Sequence, residues 1–214
     1  MKPISDFHRQ VRPLVRGCPT PVIDEAIRHS AIEFCDYTHT WRIELPAVRI
    51  IDGKTDYVVD TPKCGRLSHV LYVSHNGTRV LPTTERQADD TVDGWRTSEA
   101  DVASYYYLPD RKTIRLLLTP TTTEAKALKV VATFKPTVDA TELDDDLYHD
   151  HLEALSHGAL MRLFGMDGQA WANPAGEQKR MFMFKQAKDL EKSLRLNDYT
   201  RQSTLTIRPV NYYG

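Results

Sequence analysis

His149, Glu153 and His157 are the residues whose types and spacing come nearest to chemistry. At four-residue intervals they would share one helix face, where two imidazoles and a carboxylate could offer nitrogen and oxygen ligands to zinc, with Asp145 just above them. That pattern supports a metal-dependent hydrolase as one reading. The His-Glu-x-x-His spacing of the metalloproteases is absent, so a solvated polar face is the simpler one.

Other chemistry is weaker. No Gly-x-Ser-x-Gly elbow and no Cys/His signature marks a nucleophile. Gly165, Gly168 and Gly176 are not followed by Gly-Lys-Ser/Thr, which favours a helix connection over a phosphate loop. Cys18, Cys35 and Cys64 are odd in number and lack C-x-x-C spacing, so they read as buried reduced thiols. Tyr105, Tyr106 and Tyr107 could stack bases, but in a strand alternate side chains face opposite sides and sheet packing is simpler. No catalytic group and no cofactor is expected.

The elements that would position these residues follow from periodicity. With 214 residues, 41% hydrophobic and 27% charged, the chain is expected to fold as one domain or one domain with an insertion. Thr20-Pro21 opens a helix whose apolar stripe is Ile23, Ile27, Ala31, Phe34, Thr38 and Trp41, at steps of three or four. The period then changes to two. Residues 48–51 read as a strand turning at Asp52-Gly53 onto residues 57–60, and Asn76-Gly77 closes a hairpin. Residues 85–101 read as a polar surface excursion anchored by Trp95, residues 104–118 as another hairpin, and residues 128–134 as a closing strand.

After residue 136 the helical signal returns. A helix opening at Leu143 carries Tyr148, Leu152, Leu155, Ala159 and Leu163, and Leu160, Met161 and Phe164 project from its other faces. An all-round apolar helix must be covered on several sides, so these three are expected to contact a neighbouring subunit. Asn173-Pro174 opens a last helix rich in cations. Residues 204–214 are extended in character, and Ile207, Arg208, Tyr212 and Tyr213 are candidates for a docking arm.

The expected fold is therefore α+β: a helical bundle from residues 1–43 and 137–200, an inserted antiparallel β-sheet (sandwich or half-barrel) over 44–136, and a terminal arm over 201–214. Lys and Arg total 28 against 29 Asp and Glu, which argues against strong sequence-independent DNA binding, although an accessory DNA-binding protein stays an alternative. No apolar run is long enough for a signal peptide or a membrane span, so synthesis and assembly in the cytoplasm without membrane contact are expected.

Taken together, the layout resembles the head-to-tail adaptors of tailed bacteriophages, the connector or head-completion proteins under the portal. The resemblance rests on Pro21-Val22-Ile23-Asp24-Glu25-Ala26-Ile27, Ala31-Ile32-Glu33-Phe34-Cys35, Trp41-Arg42, the inserted β region, Ala159-Leu160-Met161-Arg162-Leu163-Phe164-Gly165 and the charged helix from Asn173. It implies a structural virion protein of the neck without enzymatic activity, in a ring usually of twelve copies. It further implies a portal protein and a tail or nozzle protein as partners, with double-stranded DNA passing through the central hole.

Overall fold

The computed structural model describes residues 1–196 and has an α+β architecture, with helices laid on a curled, mixed half-barrel sheet. The chain enters through β1 (Lys2–Pro3) and a 3₁₀ turn, Ile4–Phe7, into α1 (His8–Val11) and a second 3₁₀ turn, Arg12–Leu14. Then comes α2 (Thr20–Thr38), which buries Ile23, Ile27, Ala31, Phe34 and Thr38 as the periodicity predicts. Thr20 lies within this helix and does not cap it; Pro19 precedes the first turn. The helix stops because His39 turns left-handed, φ 58°, while its N–H bonds the Cys35 carbonyl at 3.0 Å.

The strands are β2 (Arg42–Glu44), β3 (Val48–Ile50), β4 (Asp56–Val58), β5 (Gly65–His75), β6 (Thr78–Pro82), β7 (Glu99–Ala100), β8 (Tyr105–Tyr107), β9 (Thr113–Leu116), β10 (Thr119–Pro120), β11 (Glu124–Pro136) and β12 (Glu142–Leu143). The main sheet runs β2-β11-β5-β6-β8-β9-β4, with β3 also on β11. It is not purely antiparallel, because β6 and β8 run parallel. Asn76 and Gly77 close the β5–β6 hairpin with φ of 50° and 82°, the left-handed pair that a tight hairpin turn needs.

Two strand expectations change. β3 and β4 do not pair across Asp52-Gly53; β3 pairs with β11 and β4 with β9. β11 is central and not a closing strand, since β5 takes one of its edges and β2 and β3 share the other. Register shifts at Val131/Ala132 and Thr133/Phe134, and a left-handed Lys126 at φ 55°, mark where this long strand departs from regular pairing.

The polar excursion holds a helix, α3 (Glu85–Thr91), opened by a capping box in which Thr84 and Gln87 satisfy each other's backbone N–H groups. Beneath it Trp95 anchors as expected, 6% exposed against Ala88, Tyr107 and Leu117. Tyr106 and Tyr107 are buried, which favours packing over base stacking.

The C-terminal elements are α4 (Asp145–His149), α5 (Leu152–Phe164) and α6 (Pro174–Leu196). α5 packs on both α2 and α6, and α2 also lies on β11, so one core joins Phe34, Leu155 and Phe184 to Leu67 and Phe134 of the sheet. Cys35 is buried in it, whereas Cys18 and Cys64 are partly exposed, and all three are free thiols.

Candidate functional site

The expected single helix from Leu143 is broken. Asp144 caps α4, its side chain accepting from the Asp146 N–H at 3.1 Å, α4 ends at His149, and α5 starts afresh at Leu152. His149 is thereby rotated off the face that carries Glu153 and His157, and its ring lies edge-on to Tyr148 at 5.4 Å. Glu153 and His157 remain neighbours on α5, Oε1 to Nε2 3.6 Å. Arg180 donates to His157 Nδ1 at 2.9 Å, which occupies a nitrogen that a metal would need. Burial first, and the Arg180 charge second, hold the His157 pKa below the ordinary value. Among the described residues no three His, Cys, Asp or Glu side chains are placed to hold a metal ion, and the hydrolase reading is left without its site.

These polar groups fasten helices instead. Glu191 is only 6% exposed although it sits on the cation-rich α6. It accepts from Arg195 Nε at 3.2 Å and from the Thr40 hydroxyl at 3.5 Å, and His151 Nε2 lies 3.8 Å from it. Arg195 also donates to the Thr40 carbonyl at 2.9 Å. The cluster pins the end of α6 to the α2–β2 corner and to the break before α5. On the opposite flank Glu33 takes bonds from Arg162 and Lys188. Burial pulls its carboxyl up, but the two cations outweigh that and hold it below the usual range. Between these latches the helices approach closely at Gly158, where a Cβ would strike the Ser30 hydroxyl and the Phe184 ring. The Ser30 hydroxyl donates to the Leu155 carbonyl at 2.9 Å.

This packing revises the subunit-contact expectation. Leu160 is 1% and Phe164 7% exposed, and Met161 is half-buried, all within the chain itself. α2 and α6 already cover α5, so its apolar breadth creates no demand for a sibling copy. Several exposed apolar side chains lie on α6: Met181 is 52%, Phe182 60%, Leu190 63% and Leu194 41% exposed. The sequence signal for them was partial: Phe182 and Leu190 stand off the stripe that Met181, Phe184, Ala187 and Leu194 form along α6, whereas Met181 and Leu194 belong to that stripe and are exposed all the same.

Where α6 leans over α4 and α5 it leaves a groove of about 790 Å³. Met183, Leu190 and Leu194 form one wall; Asp146, Asp150 and Glu153 stand on the other, with His151 and Ala154 at the base. The candidate docking residues Ile207, Arg208, Tyr212 and Tyr213 lie outside the described residues. No described helix is long and apolar enough to cross a membrane.

The described residues thus present a surface groove, polar latches between helices and a helix with exposed apolar side chains. The chain matches the SU10 adaptor protein family over residues 4–209 and belongs to it, in keeping with the resemblance to phage head-to-tail adaptors. It is thus a phage structural adaptor, a component of the virion neck. No curated protein matches the chain.

Proposed function

We propose that identical copies of this chain form a closed ring that docks on the portal, continues the DNA channel and offers the tail its platform. The observation that carries this reading is family membership across nearly the whole chain, residues 4–209. The exposed apolar side chains of α6 support it, because apolar surface that is hazardous on a monomer is buried by repeated head-to-tail contacts in a ring. Near-balanced charge, 28 cations against 29 anions, suits a conduit, since clustered cations would grip phosphate and slow the passage of DNA. Residues 204–214, with Ile207, Arg208, Tyr212 and Tyr213, serve as the arm that reaches the portal.

The test is assembly on purified portal followed by electron microscopy. A ring of this chain is expected on the portal's outer end, and deleting residues 204–214 should abolish docking while leaving the thermal unfolding of the remainder unchanged. Portals without added density would refute the adaptor ring, and undiminished docking of the deletion would refute the arm.

A further inference from the structure

The two flanks of α4 are chemically opposite. Asp145 and Tyr148, three residues apart, face the N-terminal segment: Asp145 pairs with the Met1 amino group at 2.9 Å, Phe7 meets the Tyr148 ring at 5.4 Å, and Arg9 donates to the Tyr148 hydroxyl at 3.3 Å. Asp146 and Asp150, four residues apart, fall on the other side and edge the groove. One flank therefore carries the chain's N-terminal turns, and the other opens the groove beside α6.

Each flank offers what the other lacks. The turn Arg12–Leu14 leaves Leu14 48% exposed, and Arg9, Arg12 and Arg16 flank it in sequence with no acidic residue between positions 9 and 16. Arg12 and Arg16 make no ion pair among the described residues. The groove presents Leu190 and Leu194 on one wall and, on the other, Asp146 and Asp150, which make no ion pair among the described residues, in a stretch with no Lys or Arg from position 139 to 153; the Arg195 that also lines it is engaged by Glu191 and the Thr40 carbonyl. A basic knob with an apolar tip on one side and an acidic groove with an apolar wall on the other are complementary in charge and in greasiness.

We propose that the groove receives the Arg12–Leu14 knob of a second copy, Leu14 seated against Leu190 and Leu194 and the arginines against Asp146 and Asp150. This rests on the ring reading above and specifies the contact that closes the ring. Such a contact joins two different patches, so it propagates head-to-tail; a two-fold dimer through either patch would oppose like charges.

The experiment uses full-length chains on portal, with wild type as reference. Asp150→Arg and Arg12→Asp should each weaken association between copies by about tenfold or more, the effect shrinking at high salt. Mixing the two variants should restore rings to within about threefold of wild type, because each then finds an opposite charge on both flanks. Circular dichroism of each variant separates lost assembly from lost folding. As a second readout, a photo-reactive phenylalanine at position 190 should cross-link to residues 9–16 of another copy. Cross-links to residues 197–214, or to no part of a neighbouring copy in formed rings, would overturn the proposal, as would rings unaffected by both reversals. If wild type itself forms no ring on the portal, it is the ring reading that falls.

Discussion

The helical half and the sheet half of this molecule are held by different means. Side chains latch the helices to one another and to the chain's turns: Ser30 to the Leu155 carbonyl, Glu33 to Arg162 and Lys188, Arg28 to the Ala140 carbonyl, and Glu191 with Arg195 to Thr40. The sheet is held by its backbone ladders, with β11 pairing along both edges. Ladders tolerate many side chains, because the bonding groups belong to every residue; latches depend on particular ones. The helical half is consequently where single substitutions can uncouple one element from the rest, and it is also the half that displays the groove and the exposed apolar side chains of α6.

The largest expected effect breaks the helical half from inside. Phe184, 1% exposed, is the apolar residue by which α6 enters the core, touching Phe34 at 6.3 Å between ring centres. Phe184→Ala should cost about 3–5 kcal/mol of stability, the sum of lost burial and a residual cavity. Phe182, two positions away and 60% exposed, points outward. Phe182→Ala should change stability by less than about 0.5 kcal/mol. Urea denaturation of both variants measures the contrast, and equal losses would mean that α6 is not oriented as described.

A smaller effect is expected where the sheet departs from its own rule. His75 is fully buried in β5, and its Nδ1 accepts the Ala103 N–H at 3.0 Å while Nε2 faces Glu124 at 3.0 Å. An acceptor at Nδ1 requires the proton at Nε2, so the ring donates to the carboxylate. His75→Leu keeps the bulk but strands a buried N–H, for a loss of about 1–3 kcal/mol. The same denaturation experiment checks it, and a neutral result would show that the backbone ladder alone positions the loop at Ala103.

The contrast also explains what was legible in the sequence. α2 was readable residue by residue because its stripe is strict and Pro21 marks its start; the Asn76-Gly77 hairpin was readable because few residues tolerate φ above zero. α3 was not, since Glu85 to Thr91 buries only Ala88 and gives no apolar period; the Thr84/Gln87 capping box was the available signal. β3 and β4 looked like a hairpin because turn chemistry is local, whereas their partners are settled by the long central strand. For the candidate site, the apolar breadth of α5 was plain, but the identity of its cover depends on how α6 returns over it. The break at Asp150 and His151 that dispersed the histidine constellation has no glycine or proline to announce it.

The smallest expected effect sharpens the comparison through pH. His151 and His157 both sit in the latched half, and burial is the main reason that each has a pKa below the ordinary 6.5, opposed at His151 by Glu191 and Asp150. A depressed histidine binds its proton more readily in the unfolded chain, so unfolding takes up protons between the two values. Stability should therefore be fully present above pH 6.5 and decline as the pH falls from there through the folded-state values. Glu33 and Asp36, whose carboxyls are held below their ordinary values by Lys188 and Arg162 and by Lys135 and Ser68, give way only in more acid solution. Denaturation midpoints measured from pH 7.5 downward should thus show a first decline that the His151→Gln, His157→Gln double variant reduces, the remainder coming from His39 at the end of α2, whose pKa burial also lowers, and a second that it leaves in place. A first decline unchanged by that variant would move the acid sensitivity out of the helical half and remove the pH distinction between the two regions.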